Sequence, residues 1–521
     1  MKKINKKNLF QNFIIIFLAI QPVFDLKIFY NSISTLIRTL VIILLFGIYC
    51  SKDSKKRKII MLIYVFVAII FLILHHLNAM KFKSMVPGNF NYSCIKEILY
   101  FVKMIVPILL IYVIKKSEIS STKVTYVIQL LVFIMSSNII ITNIMGISYG
   151  SYSDEIIKSN FLGWFNNKEY TYKDLSSKGT FEFANQIGAV LLMFLPFTIY
   201  SMLNQKKIKN LILLFMNVFA LILLGTRVAV LGIAVVFIYT IATILFMKIL
   251  QKKESIEIKK ILLIAPYIIL YIIVLPVNPM FNRIEEMNNQ QYDTIQVSNS
   301  NNVVEVIDNE VETSNFENEK EKQIKYIKEN YKTKKINEKF IIESYPYQYD
   351  TEFWINILNL DIYKTTNYRY LEKQMIKRVV EINNNKYDKL FGITYTRIQN
   401  IFNIEQDFVV QYYSVGILGC VLIFSPYLIL LCMFIYNVIK SKFLECSIDN
   451  MLSFITIIMM FIISYNSGNL LNSLSFTIYF AILFYKLYNI ENFETKDSNN
   501  NLSSIGGKYV YKKCMFKFEK I

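Results

Sequence analysis

One guanidinium and two carboxylates stand where apolar runs of this chain meet polar segments, and chemistry could be done at those positions. Arg227 interrupts the apolar stretch Leu211 to Leu250, beside Gly225 and Thr226. A charge in such surroundings is costly and usually serves a function. Its guanidinium can grip a phosphate with two parallel hydrogen bonds in a poorly hydrated pocket. It can equally be an interfacial arginine that reaches to water. Glu405 and Asp407 open another apolar run, between the segment Phe391-Gly-Ile-Thr-Tyr-Thr-Arg397 and Gly416-Ile-Leu-Gly419. A carboxylate there can take a proton from an attacking hydroxyl, or simply favour a helix N-terminus through the macrodipole. Asp25, after Gln21 and Pro22, either caps a kink or lines a cavity. His75 and His76 are the only histidines, and interfacial placement at the end of a span accounts for both. With them, and six Cys that form no CxxC pair, no metal site is expected.

The elements that must position these residues are membrane helices. Of 521 residues, 54% are hydrophobic and 18% charged, against about 25% charged in a soluble domain. The apolar residues come in long blocks, which excludes a soluble enzyme, a disordered chain and a fibrous protein. The formal charge of +19 invites a nucleic-acid partner, but Lys and Arg collected in cytoplasmic loops explain it better. A bilayer core needs about 20 mostly apolar residues per helix, and twelve such blocks can be found. They run near Leu9–Phe24, Leu36–Cys50, Ile59–Leu77, Ile98–Ile114, Val124–Ile147 and Phe183–Leu203. Two more come from Leu211 to Leu250, split as a hairpin at Gly225–Arg227, and then Ile261–Pro276, Phe408–Ile439, Met451–Tyr465 and Leu470–Leu487. The block from Phe408 is long for one span, so its start belongs outside the membrane. Lysine-rich segments around residues 2–7, 52–58, 115–116, 206–209, 252–260 and 440–442 all fall on one side if twelve spans alternate. The positive-inside rule makes that side the cytoplasm and places both termini there.

The expected organisation is therefore all-α and polytopic. Residues 1–276 form spans one to nine, 277–407 a large extracytoplasmic loop, 408–490 the last three spans, and 491–521 a basic cytoplasmic tail suited to an anionic membrane surface. The loop's Asn-rich first part, 288–309, reads as disordered. In its second part Phe353, Trp354, Ile357 and Leu360 share one helical face, as do Leu371, Met375 and Val379, which predicts a small helical cap over the membrane helices.

Ordered along the chain, these segments resemble the bacterial O-antigen ligase/polymerase superfamily, especially its polysaccharide polymerase branch in Gram-positive bacteria. Gln21-Pro22-Val23-Phe24-Asp25 is similar to a "QPxxD" opening. Gly179-Thr-Phe-Glu-Phe-Ala-Asn185 with Pro196 resembles a "GTF…N…P" segment leading into a middle span. Leu224-Gly-Thr-Arg227 with Gly232 is similar to a "TxSRxxxxG" hairpin, Arg369 and Leu390-Phe-Gly392 to a loop arginine and "LFGxG", and Glu405-Gln-Asp-Phe408 with Gly416 and Gly419 to "EMDFF…GIIG". Asn466 to Tyr479 resembles "GHxxxSPxxxxY". The chain departs from these patterns in lacking the second glycine of "LFGxG" (Thr394), in carrying Thr226 for Ser, and in carrying Asn469 for His. Where lipopolysaccharide-ligase members carry a His ahead of the glycine pair, it has Glu405, which favours the polymerase branch.

The resemblance implies a metal-independent inverting glycosyltransferase with no cofactor, in the bacterial cytoplasmic membrane. Its donor and acceptor would be glycans on undecaprenyl diphosphate, and flippase and chain-length regulator proteins its possible partners. Arg227 and Arg369, with Arg397 in reserve, would bind the diphosphate. Glu405 or Asp407 would be the base, and Asp25 and Asn185 would line the cavity. A ligase for a wall polymer and a transporter or flippase are the alternatives. The latter is disfavoured by the large loop and by the lack of matching halves.

Overall fold

The structure is a computed structural model that describes residues 6–29, 31–165, 170–205, 207–251, 258–283, 316–401, 404–443 and 446–487. The Asn-rich loop segment and the basic tail expected from the sequence lie outside the described residues. Among those described there are helices and a few isolated β-bridges, and no strand. The principal helices are α1 (Lys6–Ala19), α2 (Asn31–Ser51), α3 (Lys55–Ala79), α4 (Cys94–Ser117), α5 (Ser121–Ile144), α6 (Ala184–Asn204), α7 (Ile208–Leu224), α8 (Arg227–Gln251) and α9 (Ala265–Val274). They continue with α10 (Phe316–Asn330), α11 (Thr351–Leu358), α12 (Tyr368–Asn383), α13 (Asp407–Lys440), α14 (Ile448–Ser467) and α15 (Leu474–Leu487).

Nine of the described helices are long and apolar enough to cross a membrane, and three shorter apolar ones, Asn8–Ala19, Ile208–Leu224 and Leu474–Leu487, complete the set. These coincide one for one with the twelve blocks read from the sequence. The long apolar stretch divides as expected. Gly225 ends α7 in the left-handed region at φ +60°, which glycine adopts without a Cβ clash. The Thr226 hydroxyl then accepts the Ala229 amide at 3.2 Å and caps α8. Burial sorts the helices by layer. On α6 and α15 nearly every side chain is buried, so these two run through the middle of the bundle. On α3, by contrast, Ile59, Leu62, Ile63, Phe66, Ile69 and Ile73 are exposed, which is how a lipid-facing helix must look.

Contacts between loops separate two ends of the bundle. At one end Gln11 reaches the Ser117 carbonyl, Lys116 the Asp53 carboxylate, and Lys486 Asp449. At the other, Lys27 meets Asp154, Asn78 meets Asp388, the Ser177 amide the Leu223 carbonyl, and Arg369 the Asn466 carbonyl. Every one of these pairs joins loops that twelve alternating spans put on the same side. The second end carries all the candidate site residues.

The segment from 316 to 401 has its own apolar core at that end. Trp354, Phe353, Ile357, Leu371, Met375 and Val379 pack with Ile327, Phe340 and Ile341, and the core closes on Phe82 and Val86 from the α3–α4 loop. Of the two helical faces expected there, Phe353, Trp354, Ile357, Leu371, Met375 and Val379 are buried, whereas Leu360 lies beyond the end of α11 and is half-buried. α13 is two helices that meet at a break at Gly416 (φ 67°, ψ −174°), so its first turns leave the line of the longer second part. The break is also a docking point. A Cβ on Gly416 would lie 2.4 Å from the Leu390 carbonyl carbon, and one on Gly392 2.3 Å from the Ser414 oxygen. Two glycines therefore let two backbones touch, and the Ile393 and Thr394 amides bond to the Tyr413 and Ser414 carbonyls across the contact.

Candidate active site

Arg369 and Glu405 meet at the head of α13. Asn367 caps α12 by accepting the Tyr370 amide at 3.2 Å, which places Arg369 in the helix's first turn. Its Nε and Nη2 donate to Glu405 Oε2 at 2.9 and 2.6 Å, and its Nη1 to the Asn466 carbonyl at 2.7 Å. The two side chains are 42% and 47% exposed, so a substrate can reach both. A pair this open is worth about 0–1 kcal/mol, little enough for a phosphate to displace the carboxylate.

Asp407 is used differently. It is fully buried. Oδ2 accepts the Leu470 and Leu471 amides at 2.9 and 3.0 Å, and Oδ1 faces the Asn472 amide at 3.4 Å. The carboxylate thus ties the head of α13 to the α14–α15 loop. Gly468 makes that junction possible: at φ +61° its Cα sits so close to the Glu405 carbonyl that a Cβ would overlap the oxygen. Asn469 follows in the left-handed region at φ 57°, where Asn is tolerated.

Sequence reasoning missed Glu372. It lies one turn beyond Arg369 and begins the stripe that continues at Met375, Ile376 and Val379, all buried. Periodicity assigns that position to core, and an acid there is the signal that could have found it. Glu372 is 2% exposed and Oε2 has no hydrogen-bond partner. Burial first, and then the neighbouring Glu405 charge, push its carboxyl up to about 8, although the Glu405 amide donates to it. A neutral carboxyl thus sits beneath the ion pair at neutral pH.

The remaining candidates converge on the same end. Asp25 pairs with Arg38 at 2.5 Å, both buried. Arg38 also donates to Ser475 Oγ and the Gln21 carbonyl, and Tyr479 donates to Asp25 Oδ2 at 3.3 Å, so α2, α15 and the end of the first span share one polar cluster. The Asp25 carbonyl accepts the Glu182 amide, and Thr180 the Lys27 amide, which lays the "GTF" segment along the "QPxxD" segment. Gly179, at φ +69°, allows the close approach of Asn138, whose Oδ1 and Nδ2 bond the Thr180 amide and hydroxyl. Asn185 Oδ1 accepts the Tyr152 hydroxyl. Next to it, Gln186 contacts the Asn469 carbonyl and accepts the Ser473 hydroxyl.

Arg227 is exposed at the start of α8. Its hairpin packs on α6 at Gly188, against Leu224, Ala229 and Thr226, two residues along from Gln186. Two residues are about 200° around a helix, so the Arg227 hairpin and the Asn469 loop pack on opposite faces of one turn of α6. Arg397 is 5% exposed. Its guanidinium bonds the Ala79 carbonyl at 3.0 Å and lies over the Phe82 and Tyr92 rings, so it fastens the 393–401 segment to the α3–α4 loop. His75 donates to the Phe391 carbonyl at 2.6 Å. Glu97 accepts the Tyr395 and Thr396 amides. Thr394, where the resemblance has glycine, stands at φ 86°, ψ 146°, a region nearly reserved for glycine.

A polytopic helical bundle with a helical cap, and a half-exposed arginine–carboxylate pair between them, defines a multi-pass membrane protein with a site at one end. The chain belongs to the family of O-antigen ligase like membrane proteins, whose sequence model matches residues 7–492. That family processes lipid-linked glycans in membranes. No curated protein matches the chain.

Proposed function

We propose that the chain polymerises undecaprenyl-diphosphate-linked oligosaccharide repeats into a surface polysaccharide at the outer face of the bacterial cytoplasmic membrane, with both termini inside. The observation that carries this reading is the open Arg369–Glu405 pair at the head of α13. In an inverting transfer an acceptor hydroxyl attacks the anomeric carbon, the bond to the diphosphate breaks, and negative charge develops on the leaving phosphate. Catalysis then needs positive charge at the phosphate and a base at the hydroxyl, and no metal is required for either. In this reading the incoming diphosphate takes Arg369 away from Glu405, and Arg227 supplies a second cation from its own hairpin. The released Glu405 carboxylate takes the hydroxyl proton. Asp407 holds the loop behind them, Asp25 and Asn185 belong to the cavity wall, and Arg397 keeps the cap in place. The cap covers the growing polymer, and the lipid reaches the site sideways between helices. A flippase would supply the substrate and a chain-length regulator would act on the product.

The test is a size profile of surface polysaccharide and lipid-linked glycans in a strain lacking the protein, complemented with wild type or Arg369→Ala. Single repeats accumulating on the lipid, with long chains restored by wild type alone, support polymerisation. Full-length chains left on the carrier would replace it with a ligase, and repeats trapped inside the cell with a flippase.

A further inference from the structure

Lys103 lies on α4, nine residues beyond Cys94, which is about 13 Å along the helix from its site end. Three other cations of the apolar helices meet a carboxylate: Arg38 meets Asp25, Lys116 meets Asp53 and Lys486 meets Asp449. Lys103 makes neither a salt bridge nor a hydrogen bond among the described residues. Instead its Nζ stands 5.4 Å from the Tyr100 ring centre and 5.7 Å from that of Tyr395. Those two rings are stacked at 3.9 Å and 7°. Lys103 is half-buried, so a ligand can reach it. It is joined to the site through Tyr100, whose hydroxyl donates to Asn472 Oδ1 at 3.0 Å in the loop that Asp407 holds.

We infer that Lys103 is a phosphate ligand set inside the membrane, and that it binds the diphosphate of the lipid-linked donor as it arrives from the bilayer. This rests on the donor proposed above. A lysine is suited to the task as a compact point charge with three rotatable donors. The stacked Tyr100 and Tyr395 rings turn their edges to it, so they give it no cation–π hold and leave its charge for a ligand. Its depth below the helix end suits a phosphate that stays attached to its lipid, in contrast to Arg369, which waits at the cap.

The test uses the full-length chain in phosphatidylcholine nanodiscs, with native mass spectrometry reading the binding of undecaprenyl diphosphate, undecaprenol and phosphatidylglycerol. Wild type is expected to prefer the diphosphate to undecaprenol. Lys103→Met should weaken diphosphate binding at least about tenfold at unchanged thermal stability, and Lys103→Arg should restore most of it. Should the Met variant unfold, Lys103→Gln takes its place. Equal binding by wild type and Lys103→Met overturns the inference and leaves the proposed donor standing. An equal loss of phosphatidylglycerol and diphosphate overturns it too, since Lys103 would then serve bulk lipid. A wild type that does not distinguish the diphosphate from undecaprenol removes the donor itself, and the inference with it.

Discussion

Three carboxylates close together in sequence or space have three different environments, and those environments set what each can do. Glu405 is exposed and loosely held, Asp407 is buried and saturated by amides, and Glu372 is buried with one oxygen unpartnered. Arg369→Ala is expected to lower polymer formation by about 10²–10³, the usual effect of removing one preorganised charge donor, at normal protein abundance. Glu405→Gln is expected to lower it by about 10²–10⁴. Both are read from the glycan size profile alongside an immunoblot of membranes. For Glu372 the sign follows from linkage. Its folded pKa is raised to about 8 from the model-peptide carboxylate value of 4.5, so the folded state holds a proton that the unfolded state has lost. Stability from this group is full below the lower value and falls as pH rises towards the upper one. Glu372→Gln, neutral at every pH, should flatten that fall. Thermal unfolding of the purified protein at pH 6 and pH 9 checks it, and an equal pH dependence in both proteins would refute it.

At the scale of elements, the predictions concern backbones that nearly touch. Gly468→Ala should displace the Glu405 carbonyl, because the added methyl overlaps it, and activity should fall with the Arg369–Glu405 geometry although neither side chain is altered. Membrane abundance and glycan profile together separate this from misfolding. Thr394→Gly should stabilise the cap by about 1 kcal/mol, since a non-glycine residue held in that region costs about 1–3 kcal/mol and the looser unfolded chain offsets part of the gain. The helices were legible because a bilayer demands long apolar runs, and these need no knowledge of neighbours. The hairpin at Gly225–Arg227 was legible for the same reason. The site was legible only in part. Arg369, Glu405 and Asp407 stood out as charges near apolar runs, but which carboxylate would be saturated depended on loops up to 65 residues away, as with Asn472 on Asp407. Arg38 and Lys103 escaped notice although they are charges inside apolar runs just as Arg227 is. Each is a single charge among apolar neighbours with no turn residue beside it, whereas Gly225 and Thr226 mark Arg227.

At the scale of the whole molecule, the two ends of the bundle differ in kind. One end ties lysines to acids near the helix ends. The other gathers the family's separated motifs into one polar layer from Asp25 to Tyr479. Single-cysteine variants on a cysteine-free background test which end faces out. Lys332→Cys, exposed on the cap segment, should react with a membrane-impermeant maleimide in intact cells, and Lys56→Cys, in the first turn of α3, only after permeabilisation. The opposite pattern would invert the topology and remove the reading of an outward site. The polar layer also fixes when the enzyme can exist. Ser475 and Tyr479, which complete the partners of Arg38 and Asp25, lie 437 and 454 residues after them in the chain, and the amides that receive Asp407 follow it by 63 and 64 residues. A nascent chain stalled before them would hold an incompletely satisfied ion pair in the bilayer and an unanchored α13. Neither the Asp25–Arg38 cluster nor the head of α13 can close until the α14–α15 segment is in place.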